Sequence, residues 1–129
     1  MGERRRYRRK PSASVIAVRL DLDTDGLIYR KWGGEQRAKR GDWLVDSDGD
    51  VYTVDADVFA RTYRALSRGL YLKTTPVWVE VADRDGDIAT KEGRTKYAKG
   101  DYIVFNDEQG TDGYGVSKAK FEEMYEPDS

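Results

Sequence analysis

Two stretches of this chain interleave cations with aromatic rings, a pattern that suits a nucleic-acid strand, where charges follow phosphate and rings stack on bases. Arg30, Lys31, Arg37, Lys39 and Arg40 surround Trp32 and Trp43, and Lys91, Arg94, Lys96 and Lys99 surround Tyr97 and Tyr102. A third basic run, Arg4, Arg5, Arg6, Arg8, Arg9 and Lys10, opens the chain and can track phosphates in the same way. A plainer reading stands beside this one. Trp43 and Tyr102 are then inward strand residues, the loop cations are merely solvated, and Glu35 and Glu92 weaken the field. For the two loops taken alone the plainer reading is preferred. The basic terminus reads equally as a solvated end or as an arm docked on the acidic body of its own fold.

Other chemistry is bounded by the residue types present. The chain has no histidine and no cysteine, which removes the commonest general base, the usual nucleophilic triads, disulfides and thiolate zinc sites. No phosphate-binding loop of the G-x-x-x-x-G-K-[ST] form occurs. Carboxylate pairs, lysine and tyrosine remain, and no spacing sets any of them apart from a charged surface, so a non-catalytic protein without cofactor or metal is expected. Asp21-Leu22-Asp23-Thr24-Asp25-Gly26 opens like a calcium loop, but its twelfth position is Trp32 where a bidentate Glu belongs. A turn is the better reading of that stretch.

A length of 129 residues suits one domain, and 36% charged residues with 38% hydrophobic ones predict a sparing core under a highly solvated surface. The net charge is -1, yet six cations against Glu3 give residues 1–10 a charge of +5 and leave -6 on the other 119. A basic N-terminal arm thus precedes an acidic body. No apolar run approaches the ~18 residues of a membrane span, and the N-terminus lacks the apolar heart of a signal peptide, so a cytoplasmic protein with no membrane partner is expected.

The elements that position these residues come as a repeat. Gly41-Asp42-Trp43-Leu44-Val45 matches Gly100-Asp101-Tyr102-Ile103-Val104; Tyr52, Phe59 and Tyr63 match Tyr114, Phe121 and Tyr125; and Tyr7 to Pro11 is echoed by Tyr71 to Pro76. The units are residues 7–66 and 71–127, packed as one compact domain. Apolar strands at Val15–Leu20 and Val77–Val81 each run to an Asp-Gly, at Asp25-Gly26 and Asp85-Gly86, and two more occur at Asp48-Gly49 and Asp112-Gly113. Asp-Gly between strand-like runs signals a hairpin, so two hairpins per unit are expected. Helical spacing then follows over Asp55–Leu66 and Ser117–Tyr125, with Asp55 and Ser117 as N-caps. The predicted fold is α+β and mostly β: two tandem ββββα units, each a small antiparallel sheet or barrel with a short C-terminal helix, which share a core or pair about a pseudo-two-fold axis.

Tyr7-Arg8-Arg9-Lys10-Pro11 before an apolar strand, then Gly41-Asp42-Trp43-Leu44-Val45, Gly49, Tyr52 and Asp57-Val58-Phe59 with Thr62-Tyr63, resembles a group of small uncharacterised phage and prophage proteins. Those open with Tyr-Arg-Lys-Lys-Pro, carry Pro-Gly-Asp-Tyr-Ile-Val and close with Phe-x-x-Thr-Tyr. The second copy keeps Pro76 to Val81, Gly100 to Val104, Phe121 and Tyr125, while Arg40 and Lys99 replace the group's Pro and Met124 its Thr. The resemblance implies a phage-related origin, hence the host cytoplasm, and supplies no catalytic residue. The leading expectation is a non-catalytic binding module for a protein or nucleic-acid partner. A small-ligand, nucleotide-like binder with a cleft between the repeats is the alternative. A structural protein that homo-oligomerises through open sheet edges is the third.

Overall fold

The computed structural model describes residues 4–128, and the chain in it is mostly β. Strands form where β-branched and aromatic residues cluster. They are β1 (Arg5–Arg9), β2 (Val15–Arg19), β3 (Leu27–Lys31), β4 (Gly34–Ala38), β5 (Trp43–Ser47) and β6 (Asp50–Val54), then β7 (Tyr63–Ser67) and β8 (Leu70–Lys73) after helix α1 (Ala56–Thr62). The chain continues through β9 (Val77–Val81), β10 (Gly86–Ala89), β11 (Arg94–Tyr97), β12 (Tyr102–Phe105), β13 (Gly113–Val116), α2 (Lys118–Met124) and β14 (Tyr125–Pro127). Among the described residues no helix is long and apolar enough to cross a membrane.

Two five-stranded antiparallel sheets carry the fold, one ordered β6-β5-β2-β8-β7 and the other β13-β12-β9-β1-β14. The hairpins β3-β4 and β10-β11 stand as separate two-stranded pieces. The strands that head the two expected units change places: β1 pairs with β9 and β14 in the second sheet, with Tyr7 opposite Val77 and Pro127, while β8 joins the first sheet with Tyr71 opposite Val15. The basic run is therefore a ladder strand over Arg5–Arg9; Met1 to Glu3 lie outside the described residues.

The expected turns are corrected in detail. Asp48-Gly49 is the two-residue hairpin turn between β5 and β6, with both residues at positive φ, 52° and 91°. The other three Asp-Gly pairs do not reverse a hairpin that way. β2 pairs with β5 and β8 and not with β3, so Asp25-Gly26 lies in a wide connection, while Gly86 and Gly113 simply begin strands. The β3-β4 reversal falls instead at Trp32-Gly33, with φ of 56° and 78°.

Both helices begin where expected. Asp55 accepts hydrogen bonds from the Asp57 and Val58 N–H groups, and Ser117 accepts one from Lys120 N–H. Both also end early and lead into a further strand, so neither closes its unit. Tyr63 and Tyr125 already have extended backbones, and each ring stacks on the phenylalanine four residues before it, at 4.5 and 4.6 Å. Leu66, assigned to the first helix by its spacing, is exposed on β7.

Each helix caps the inner face of one sheet. Phe59 sits on Val15, Ala17 and Val45, ringed by Trp43, Tyr63 and Tyr71, and Phe121 sits on Val77, Val79 and Val104 with Tyr7, Tyr102 and Tyr125. Trp43 and Tyr102 are thus core residues of their strands, as the plainer reading of the basic loops has it. Each buried side chain of this size contributes about 1.5–3 kcal/mol by leaving water. A third cluster, Ala82, Ile103 and Phe105 with Trp78, Ile88 and Tyr97, lies on the other side of the second sheet.

Candidate ligand chamber

Residues of both sheets line a chamber of about 340 Å³. Two cations stand in its wall, Arg9 on β1 and Lys73 on β8, only 6% and 5% exposed. Strand alternation puts them there, because in each strand the residue two places before, Tyr7 or Tyr71, packs in a core on the same face. The Arg9 guanidinium donates to Tyr63 Oη at 3.1 Å, approaches Met124 Sδ at 3.0 Å and lies 5.0 Å from the Tyr125 ring centroid. Lys73 Nζ donates to Asn106 Oδ1 at 2.5 Å and lies 5.7 Å from the Tyr114 ring. Among the described residues neither cation forms an ion pair.

The electrostatic consequences follow from burial. Loss of water, aided by the charge of Arg9, lowers the Lys73 ammonium to about 8. Burial likewise pushes the Tyr52 and Tyr114 hydroxyls well above their ordinary value, so they stay neutral donors. Two buried polar atoms of the wall, Arg9 Nε and Thr95 Oγ1, make no hydrogen bond within the chain. A buried cation without a carboxylate partner costs several kcal/mol of solvation, and neutral phenols and one amide offset that only partly.

The mouth is built by the two free-standing hairpins, which are stitched to each other. Gln36 Nε2 donates to the carbonyls of Lys31 and Arg94, Arg37 N–H to Glu92 O, and Lys96 N–H to Trp32 O. The approach needs Gly93, where a Cβ would fall 1.9 Å from Glu35 O. Trp32, Lys91 and Lys96 are exposed lining residues; Asp50, also lining, is bridged by Lys31 Nζ at 2.9 Å and by Lys120. Burial opposes the Asp50 charge, but these two lysines hold its carboxyl below the usual range. The remaining acids of the lining are spoken for: Asp101 accepts from Ala98 N–H, Asp112 from Asn106 Nδ2, and Glu92 from Asp55 N–H. Burial raises Glu92 to about 7.

Of the fifteen cations singled out in the sequence, Arg9, Lys91 and Lys96 reach the chamber, and Lys31 touches it through Asp50. The others are spread over the surface, most of them committed. Arg4 pairs with Glu80, Arg6 with Asp128, Arg8 with Glu126, and Lys10 donates to Glu122 O. Lys39 bridges Asp42 and Asp55, Arg40 lies near Asp21 and Asp23, Arg94 pairs with Asp87, and Arg37 reaches Glu35 at 4.0 Å. Arg5, Arg30 and Lys99 are exposed. Sequence reasoning missed Lys73, Lys120, Asn106 and the chamber tyrosines. The signal was available for Lys73: the echo of Tyr7 by Tyr71 sets Lys73 opposite Arg9.

Comparison with known proteins finds no matching family model, no matching curated protein and no matching solved structure.

Proposed function

We propose that this chain is a non-catalytic binding module that holds a small anionic ligand in the chamber between its two sheets, on Arg9 and Lys73. The observation that carries this reading is the pair of buried cations with no carboxylate partner, one of them with an unsatisfied Nε, beside open volume. An anion would supply the missing counter-charge, and the neutral tyrosine hydroxyls and Thr95 Oγ1 would donate to it. A surface nucleic-acid reading is less favoured, because eight of the fifteen cations of the basic runs, Arg4, Arg6, Arg8, Lys31, Arg37, Lys39, Arg40 and Arg94, are already paired with the protein's own acids.

On the same reading the chamber descends from a duplication, two tandem copies of one strand-rich unit about a pseudo-two-fold axis. Supporting it, the two sheets run in parallel order, with β6, β5, β2, β8 and β7 answering to β13, β12, β9, β1 and β14. The cations then occupy equivalent places, Tyr7-x-Arg9 and Tyr71-x-Lys73, and Ser47 and Asn106 face them from equivalent strand ends.

The test is calorimetry and thermal shift with inorganic phosphate, ribose 5-phosphate and nucleoside monophosphates, beside oligonucleotides at two salt concentrations. Saturable small-anion binding with a concentration-dependent rise in Tm is expected, lost in Lys73→Met and Arg9→Met. Lys73→Met alone should melt at a higher temperature, since an uncompensated buried cation is removed. Oligonucleotide binding that is steeply salt-dependent and indifferent to Lys73→Met would overturn the chamber reading in favour of the surface.

A further inference from the structure

Trp32 occupies a place where its residue type is costly. It is the first residue of the two-residue β3-β4 turn, at φ 56°, and the second, Gly33, is at 78°. Such turns favour Asn or Asp followed by Gly, and a bulky aromatic residue at positive φ is an outlier that persists only when its surroundings impose it. The Trp32 carbonyl is held by Lys96 N–H at 3.0 Å, so the second hairpin fixes the turn. The side chain is not used to fill a core: it remains 37% exposed and lines the chamber mouth. Its ring meets Tyr52 at 5.7 Å with 52° between planes, which makes an open wedge instead of a closed stack. Trp32, Tyr52 and Arg9 all line the same chamber, Trp32 exposed and Arg9 6% exposed.

We infer that Trp32 is a stacking shelf for a flat ring, so that the ligand is a nucleotide, seated with its base on Trp32 at the mouth and its phosphate directed inward to Arg9 and Lys73. This rests on the anion reading of the same chamber and narrows it: sugar phosphates and small dicarboxylates lack the ring. Every nucleobase has a π-face, and a Trp face with the Lys31 ammonium 5.5 Å from its centroid is a shelf of that kind. Strain kept at a solvent-facing turn has no packing purpose in the first core, whose members do not include Trp32.

The experiment is calorimetry of the full chain with the four ribonucleoside 5′-monophosphates, ribose 5-phosphate and adenosine, in wild type, Trp32→Asn and Trp32→Tyr. Wild type should bind at least one mononucleotide about tenfold or more tighter than ribose 5-phosphate. Trp32→Asn should erase that preference while keeping the ribose 5-phosphate affinity, and Trp32→Tyr should retain most of it. Because Asn-Gly is the favoured pair for this turn, Trp32→Asn should also melt a few degrees higher, which separates a shelf from a packing residue. Equal affinity of nucleotides and ribose 5-phosphate overturns the shelf and leaves the anion reading standing, as does a Trp32→Asn protein that keeps the preference or melts lower. Nucleoside monophosphate binding that is no tighter than adenosine binding and is unchanged in Lys73→Met keeps the shelf and overturns the anion reading. No binding of any of these ligands overturns both.

Discussion

The two sheets share a strand order but treat their outer faces differently. On the second, Ile103, Phe105 and Trp78 lie under β10-β11 and bury against Ile88 and Tyr97. Two glycines of β13 permit this: a Cβ on Gly113 would fall 2.5 Å from Phe105 Cδ1, and one on Gly115 3.1 Å from Tyr97 Cβ. On the first sheet the matching face is open over β2, with Ile16 61% and Val18 57% exposed. Its hairpin, β3-β4, holds its own sheet through Tyr29 Oη at Thr53 but makes its backbone bonds to the second hairpin, with Gln36 bridging to Gly93. One hairpin is used to seal a core, and the other is drawn away to frame a mouth. Trp32 stands at the chamber because β3-β4 is committed to the opposite half.

Removing residues 1–10 should have the largest effect on the second sheet. If the basic segment were a free arm, the body would keep its cooperative melt. As β1, it lies between β9 and β14 and brings Tyr7 to Phe121 at 5.0 Å between ring centroids and Arg9 to Tyr63. The expected outcome is loss of a cooperative unfolding transition in circular dichroism, with ligand binding lost as well. A truncated chain that melts as the whole one does would place the second sheet's stability elsewhere.

Next in size is the contrast between the two outer faces. Ile103→Ala removes a side chain 2% exposed and should cost about 2–4 kcal/mol in denaturant unfolding, the range for a buried aliphatic residue cut to a methyl group. Ile16→Ala, on the corresponding open face, should change stability by about 0.5 kcal/mol or less. Comparable losses would mean that the first face is covered in solution.

Phe59 with Tyr63 and Phe121 with Tyr125 announced the two cores through their spacing, and Asp55 and Ser117 announced the helix starts, because these are local effects. The exchange of β1 and β8 was not legible. Nothing in Arg5–Arg9 says that its ladder partners lie near Val77 and Tyr125, since pairing is chosen by the tertiary fold. Lys73 was hidden for another reason: lysine is among the residues least often buried, so its place in the strand gives no sign that it faces inward, where it is 5% exposed. Trp32-Gly33 was hidden because an aromatic residue is the wrong signal for its turn, which is also why it marks a site once seen.

A smaller effect sharpens the link between the halves through pH. Glu92 has a carboxyl raised from about 4.5 to about 7 by burial, and it accepts the Asp55 N–H at 2.9 Å. Its folded form holds the proton more tightly than the unfolded chain does. The stability it contributes is therefore full below about pH 4.5 and is lost as pH rises through about 7. Glu92→Gln should flatten that part of the stability profile and leave the protein more stable than wild type at pH 8, by about 1–3 kcal/mol given a shift of this size. An unchanged slope between pH 5 and 7.5 in the variant would assign the titration to another group.

The least of these effects compares the two helix starts. Asp55 accepts from two N–H groups, at 3.0 and 3.2 Å, and also holds Lys39 Nζ at 2.6 Å, whereas Ser117 accepts one N–H at 3.4 Å. Burial works against the Asp55 charge, but Lys39 and the capped N–H groups keep its carboxyl below the ordinary range, so it caps as the anion at neutral pH. Asp55→Ala should then cost about 1–2 kcal/mol and Ser117→Ala about 0.5 kcal/mol. The ordering also has a physical consequence at the chamber. The Asp55 N–H is bound by Glu92 of the second half, so the first cap ties the two halves together at the mouth, whereas Ser117 lines the chamber but its hydroxyl caps only its own helix. Asp55→Ala should weaken ligand binding more than Ser117→Ala after both are corrected for stability, and equal weakening would place the cap outside the coupling between the halves.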